Sequence, residues 1–205
     1  MKTALFIDGS YMYDAAKRLG WNIDHRKAIG VFSKPEDLYN AFYYAPVTDS
    51  NDERQQKFLD ALVFMGYTVR SRETHGDPRF EAMMATDLLV TAPRWERAVV
   101  ASGSGDLAHT LSALRAQGKE IHLLGVPELT DLELRNQSDR YLDLRELQSQ
   151  LERTGGGRRT YPSVGEDDPL RDRPPLAAVH PEEGFANEEQ NGLRRLMENL
   201  EDEIQ

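Results

Sequence analysis

The chain has 205 residues, a formal net charge of −10 and no cysteine. The absence of cysteine excludes disulfides and thiolate metal sites. An acidic chain also lacks the overall positive field of proteins that coat nucleic acid. The length suits one domain with a tail. No apolar run reaches the roughly 20 residues of a membrane helix, and the first residues do not read as a signal peptide. The sequence therefore predicts a cytoplasmic protein that does not contact membranes.

The front of the chain, residues 1–150, alternates apolar strands with amphipathic helices. In chain order the patterns predict a strand at 3–8, a helix at 9–20, a helix followed by a strand within 34–47, a helix at 52–66, a strand at 67–73, a helix at 79–92, a strand at 97–102, a helix at 105–118, a strand at 120–125, and a last strand or turn with a helix within 134–147. This alternation favours an α/β fold, in which helices cover both faces of a mostly parallel sheet.

The composition changes after this region. Residues 151–185 are rich in glycine, proline and charge, which predicts a disordered linker because such a segment buries little apolar surface. Residues 186–205 carry apolar side chains at helical spacing and predict a short amphipathic helix. Docking of this helix on a protein partner and marginal stability by itself both stay open.

Carboxylates recur where the predicted strands end. Asp8 closes the first strand and Asp106 follows the strand at 97–102. Ligands of parallel α/β sheets bind beyond the carboxyl ends of the strands, so these two side chains are expected at one rim. Glu81 and Asp87 share the helix at 79–92, and Asp139 lies near the start of the last element, within reach of the same rim.

Carboxylates that converge in a cleft repel one another unless a cation neutralises them. Oxygen ligands favour Mg²⁺ or Mn²⁺, ions that commonly serve phosphodiester hydrolysis. Each acid also has a simpler interpretation, since Asp8 and Asp106 fit helix N-caps, Glu81 a solvated helix face and Asp139 a turn. The turn "SGSGD" lacks the spacing and the lysine of a P-loop, which disfavours a nucleotide cradle.

Four segments resemble the NYN domains of the LabA/DUF88 type, which belong to the PIN-like nuclease superfamily. They are "FIDGSYMY", "FEAMMATDLL", "VVASGSGDLAHTLSALRAQGKEIHLLG" and "ELRNQSDRYLDLREL". The resemblance implies a PIN-like three-layer α/β/α domain over residues 1–150 and a ribonuclease that depends on Mg²⁺ or Mn²⁺. Carried over by position, it makes three residues catalytic metal ligands and four residues supporting members of the site: Asp8, Asp87 and Asp106, then Ser10, Glu81, Ser104 and Asp139.

The chain departs from the family pattern at three positions. Ser104 stands where the family has an acid, Leu107 where it has phenylalanine, and Tyr11 where it commonly has asparagine. A hydroxyl is a weaker cation ligand than a carboxylate. Two interpretations follow: a hydrolase with lowered metal affinity or rate, or an RNA-binding or protein-binding regulator that does not cut. An adaptor that acts through the tail helix is a third.

The resemblance also implies RNA as the substrate, and we expect single-stranded RNA rather than duplex. Arg79 and Arg135 flank the proposed rim and are expected to contact phosphates. Tyr11 is expected to stack on an unpaired base. Taken singly, each of these residues also fits a solvated charged face or an aromatic core position. Whether the protein forms a homodimer stays open.

Overall fold

The computed structural model describes residues 1–47, 52–73 and 79–153. The predicted linker, apart from its first three residues, and the predicted helix at 186–205 lie outside these ranges. Within them, no helix is long and apolar enough to cross a membrane. The folded region continues slightly past the predicted boundary at residue 150, because Glu152 forms a β-bridge with Ile23 and the Arg153 amide donates to the Asn22 carbonyl.

A six-stranded sheet forms the centre of the described region. Its strands in chain order are β1 (Thr3–Asp8), β2 (Leu38–Val47), β3 (Tyr67–Glu73), β4 (Arg97–Ala101), β5 (Glu120–Gly125) and β6 (Arg140–Asp143). Their spatial order is β3-β2-β1-β4-β5-β6, and all five neighbouring pairs are parallel. The predicted α/β class with a parallel sheet is therefore confirmed.

The described ranges contain seven α-helices, of which the first six connect the strands and the seventh follows β6. They are α1 (Gly9–Leu19), α2 (His25–Phe32), α3 (Glu53–Phe64), α4 (Glu81–Thr91), α5 (Ala108–Ala116), α6 (Leu132–Asn136) and α7 (Gln148–Leu151). The chain runs from β1 outward to β3, then returns and continues from β4 to β6. Because parallel crossovers are right-handed, this reversal puts α1–α3 on one face and α4–α6 on the other. The result is the expected three-layer arrangement.

One predicted helix is wrong. The segment 34–37 was expected to be helical, but it forms a turn that leads directly into β2. The helix lies earlier, at α2, where the Asp24 carboxylate accepts hydrogen bonds from the amides of Arg26 and Lys27. Gly30, within α2, lowers the helical propensity of that segment. The Asp24 N-cap stabilises the first turn and fixes where the helix begins.

The core on the α4–α5 face contains the alternate side chains of the central strands. Phe6 stacks on Phe42 with ring centroids 5.1 Å apart, and Trp95 meets Phe6 edge-on. Met84 and Leu88 of α4 pack against this layer and are fully buried. Since side chains alternate along a strand, Asp8 points to the same face as Phe6.

The opposite face buries a histidine among aromatic rings. His25 lies 5.1 Å from Tyr43, 5.8 Å from Phe58 and 6.3 Å from Tyr67, measured between ring centroids. Neither ring nitrogen of His25 has a hydrogen-bond partner among the described residues. Burial lowers the pKa of His25 to about 4, whereas the nearby Asp24 acts to raise it and Arg153 to lower it further.

We expect this histidine to make stability depend on pH. The unfolded chain binds a proton at His25 below about pH 6.5, whereas the folded chain binds it only below about pH 4. Stability from this residue is therefore complete above pH 6.5 and is lost as the pH falls toward 4, by about 3 kcal/mol in total. Urea unfolding at several pH values should show a smaller loss for His25→Phe than for the wild type. Equal losses over this window would contradict the assignment.

Candidate functional site

The two halves of the sheet meet between β1 and β4, where the strand order reverses. In open α/β sheets the crevice outside the carboxyl ends of the strands at such a reversal is the usual ligand site. Asp8 ends β1 at this point, and the turn 102–106 follows β4 directly. The predicted meeting of these two segments at one rim is therefore present in the fold.

Asp8 serves as the N-cap of α1. Its Oδ1 accepts hydrogen bonds from the amides of Ser10, at 2.9 Å, and Tyr11, at 3.2 Å. Gly9 follows because a Cβ there would lie 2.6 Å from Tyr43 Cε1 and 2.7 Å from the Tyr44 carbonyl oxygen. The tight turn thus holds Asp8 against the end of the sheet, with Oδ2 unbonded within the described part of the chain.

The environment of Asp8 disfavours its negative charge. Burial raises the pKa of this carboxyl to about 6; the negative charges of Glu81 and Asp14 act in the same direction, and the two amide hydrogen bonds act against it. Glu81 is the first residue of α4, so its effect on Asp8 indicates that the N-terminus of α4 lies near the end of β1. The Ser10 hydroxyl is also buried and has no hydrogen-bond partner among the residues described.

Asp106 lies at the exposed side of the same region. Its carboxylate is 65 % exposed, and Oδ2 is 3.9 Å from Nη1 of Arg79. Arg79 precedes α4 by two residues, so the pair bridges the turn after β4 and the start of α4. Asp8 therefore has Glu81 as a charged neighbour, and Asp106 has Arg79, two residues before α4. Within the described ranges, no group of three His, Asp or Glu side chains is arranged to hold a metal ion.

The turn after β4 satisfies its own amides. The Ser104 amide donates to Ser102 Oγ at 3.4 Å, the Gly105 amide to Asp131 Oδ2 at 2.7 Å, and the Asp106 amide to Ser104 Oγ at 3.3 Å. The Asp131 amide in turn donates to the Gly103 carbonyl at 2.9 Å. With these three amides already bonded within the chain, the turn is not a phosphate cradle.

Asp131 is a residue of this region that the sequence did not reveal. Its position before α6 is typical of an N-cap, but its side chain makes no capping hydrogen bond and binds the Gly105 amide instead. The two residues are 26 positions apart. No local pattern predicts such a contact, because it depends on how the β5–β6 connection passes under the turn.

Tyr11 lies inside the protein. It is 8 % exposed, its hydroxyl accepts from the Val126 amide at 2.9 Å, and it shares a 2.7 Å hydrogen bond with Thr130 Oγ1. Burial raises the pKa of Tyr11 to about 12. In this conformation the ring supports the turn and β5, so it is not accessible for stacking on a base.

Asp87 and Asp139 are held by other partners. Asp87 accepts from the Tyr44 hydroxyl and is paired with Arg70. Asp139 accepts from the Ile121 amide at 2.8 Å and from Nε of Arg115 at 2.9 Å. Ile121 is the second residue of β5, so Asp139 lies at the amino-terminal edge of the sheet, opposite the rim where it was expected.

Two basic groups predicted to contact substrate have different environments. Arg79 is 72 % exposed at the rim. Arg135 is partly buried, with its guanidinium carbon 6.0 Å from the centre of the Tyr141 ring and its Nε unpartnered among the described residues. A cleft of about 460 Å³ beside α1 is lined by Asp14, Lys17, Arg18 and Leu129. The Leu129 carbonyl oxygen also packs closely against Gly103 of the turn after β4.

Comparison with known proteins identifies the family. Residues 2–148 match the NYN domain. The chain belongs to the NYN-domain family. The Low amplitude and bright protein LabA of Synechococcus elongatus is 34 % identical over 167 residues, which cover 75 % of this chain and 89 % of LabA. The resemblance stated from the four sequence segments is therefore confirmed.

A solved structure supports the fold of this NYN domain. A Vibrio parahaemolyticus protein of unknown function superposes with a TM-score of 0.61 at 20 % identity, covering 70 % of this chain and 93 % of the other. At that identity the likeness concerns the fold alone. NYN domains are PIN-like nuclease domains, typically of ribonucleases, so the family sets the class of chemistry in which the rim of this NYN domain is considered.

The packing of Tyr11 can be tested through Gly125. A Cβ at Gly125 would overlap the Tyr11 hydroxyl and lie 3.0 Å from Thr130 Oγ1. We expect Gly125→Ala to lower the free energy of unfolding by about 1 to 3 kcal/mol. The cost should be smaller in the Tyr11→Phe background, because the overlapping oxygen is gone.

The four proteins of this double-mutant cycle should be compared by urea unfolding. Gly30→Ala is the control, because a Cβ at Gly30 meets nothing within 4 Å. It should be neutral or slightly stabilising. Additive costs for Gly125→Ala and Tyr11→Phe would show that the hydroxyl does not fill the space above Gly125.

Proposed function

We propose that this protein is a metal-dependent ribonuclease whose Mg²⁺ or Mn²⁺ ion is held by Asp8 and Glu81, with Asp106 at the exposed margin. The observation that carries the proposal is the position of Asp8, which ends the central strand where the strand order reverses and has Glu81, the first residue of α4, as a charged neighbour. Membership of the NYN family supports the class of reaction.

The residues at the rim suit a hydrated hard cation. Mg²⁺ prefers oxygen ligands, keeps several waters and is usually held by only one or two carboxylates. Asp8 offers an unbonded Oδ2 among the described residues, and the buried Ser10 hydroxyl lacks a partner there. A bound ion would supply charge neutralisation at the phosphate and a lowered pKa for a coordinated water.

The chain's own groups would position the RNA. Arg79 is exposed beside Asp106 and can exchange that contact for a phosphate oxygen. Lys17 and Arg18 line the cleft beside α1, where they could contact the phosphate backbone of a single strand. Because the protein as a whole is acidic, we expect binding to depend on this local strip and on the ion.

Cleavage of a labelled single-stranded RNA at increasing Mn²⁺ concentration tests the proposal. We expect Asp8→Asn and Glu81→Gln to lower the cleavage rate at least about 100-fold, since each removes one of two charges that hold the ion. Asparagine can still accept the two amide hydrogen bonds, so α1 keeps its cap. Asp60→Asn on α3, on the other face of the sheet, is the control and should cleave like the wild type.

Two results would contradict the ribonuclease. One is wild-type cleavage by Asp8→Asn. The other is RNA binding by the unmodified protein without cleavage at any Mn²⁺ concentration, which would favour a second candidate: an NYN domain that holds RNA without cutting it. The observation that favours this candidate is Ser104, a neutral residue at a position where the family has an acid, whose hydroxyl is already bonded to the Asp106 amide.

An acid at position 104 distinguishes a metal site with lowered affinity from a site that no longer binds the ion at this position. Aspartate is as good an N-cap as serine, so Ser104→Asp should keep the turn. If position 104 faces the ion, the added charge should tighten Mn²⁺ binding about tenfold in isothermal titration. Ser104→Asn is the matched control, with the same size and capping ability but no charge. Equal Mn²⁺ affinities for the two variants would place residue 104 away from the ion.

A further inference from the structure

Asp87 already has a cation within the chain. Its Oδ2 accepts from Nε of Arg70 at 3.1 Å and from the Tyr44 hydroxyl at 3.0 Å, and its Oδ1 accepts from Nη2 of Arg70 at 3.4 Å. The carboxylate is 17 % exposed. The Arg70 guanidinium also lies 5.7 Å over the centre of the Phe42 ring. Both carboxylate oxygens of Asp87 thus accept hydrogen bonds from the Arg70 guanidinium, and one also accepts from the Tyr44 hydroxyl.

The partners of Asp87 form a row across the sheet. Asp8 pairs with Tyr44 in the register of β1 and β2, and Tyr44 pairs with Arg70 in that of β2 and β3. Asp87, on α4, contacts the second and third members of this row, Tyr44 and Arg70. Through these contacts α4 is fastened to β2 and β3, on the side of the sheet next to Asp8.

The same helix carries Glu81 at its first position. Six residues separate Glu81 from Asp87, which corresponds to about 9 Å along the helix axis. Because Asp87 fixes the position of α4 along its axis, it also fixes how far Glu81 lies from the end of β1. If Asp87 left Arg70 to bind an ion, the guanidinium over Phe42 would lose its carboxylate and the Tyr44 hydroxyl would lose its acceptor.

We propose that Asp87 is a positioning residue: its ion pair with Arg70 sets the distance between Glu81 and Asp8, and its carboxylate does not ligate the ion. This inference rests on the proposed function, because it concerns the ion held by Asp8 and Glu81. It reverses the role that the family resemblance implies for position 87. Arg70 then belongs to the site as the fixed counter-charge of Asp87.

The decisive measurement is Mn²⁺ affinity of the full chain by isothermal titration, with Arg70→Lys as the main variant. Lysine keeps the charge but cannot form the two-pronged pair with a carboxylate. If Asp87 positions Glu81, loosening the pair should weaken Mn²⁺ binding about threefold. If Asp87 is instead a ligand for which Arg70 competes, a weaker competitor should tighten Mn²⁺ binding. Arg72→Lys, two residues along the same strand and exposed, is the matched control and should bind like the wild type.

A second pair of variants keeps the test decisive if Arg70→Lys has a small effect. We expect Asp87→Asn to weaken Mn²⁺ binding no more than about tenfold, and Asp87→Asn with Arg70→Gln to return to within about twofold of the wild type, because two neutral amides can bond across the same gap. If Asp87 were a metal ligand, Arg70→Gln could not restore the Mn²⁺ binding lost in Asp87→Asn. Loss of Mn²⁺ binding in Asp87→Asn that the double variant does not restore would overturn the inference, and so would Mn²⁺ binding and thermal stability that Asp87→Asn leaves unchanged.

Failure of the inference can be told from failure of the proposed function. If Asp8→Asn and Glu81→Gln abolish Mn²⁺ binding and Asp87→Asn does so equally, only the role of Asp87 is overturned. If Asp8→Asn binds Mn²⁺ as well as the wild type, the ion site at Asp8 is overturned, and the positioning role with it.

Discussion

The burial of one carboxylate at the end of the central strand is the constraint on which the rest of the rim depends. A charged group removed from water needs hydrogen bonds or an opposite charge. Asp8 has two amide hydrogen bonds at one oxygen, and nearby negative charges but no ion pair among the described residues. The raised pKa of Asp8 reflects this lack of an opposite charge. A proton or a bound cation would supply this charge, so the metal ion of the proposed function would meet a need that arises from how the strand ends.

The turn after β4 contains backbone donors that need acceptors, whereas Asp8 is an acceptor that lacks a cation. Its backbone amides are donors that could attract an anion, but Ser102, Ser104 and Asp131 already accept from them. Tyr11 packs beneath the turn against Gly103, where a Cβ would lie 2.8 Å from the ring. The amides of Ser104, Gly105 and Asp106 are consequently not available to a phosphate. In the proposed function, contact with RNA therefore depends on exposed side chains around the turn, such as Arg79.

The sequence predicted the parallel sheet and the meeting of Asp8 with the turn after β4, because both follow from alternation and from strand ends. It did not predict the partners of Asp87 or Asp139. Arg70 meets Asp87 only through the register of β2 with β3, and Asp139 meets Ile121 only through the pairing of β6 with β5. A one-residue change in register would turn these side chains to the other face. Contacts of this kind are set by the assembled sheet, so spacing along the chain carries no signal for them.

Asp8 and Asp87 show why two acids on the same face of a sheet need not have the same role. A guanidinium is permanently charged, planar and matched to a carboxylate, so the pair between Arg70 and Asp87 is complete without any added ion. Asp8 has no such partner in the described chain, and its charged neighbour Glu81 repels it. Under the proposed function, an external cation is therefore required at Asp8, for which the described fold supplies no cation. It is not required at Asp87, because the Arg70 guanidinium already neutralises that carboxylate.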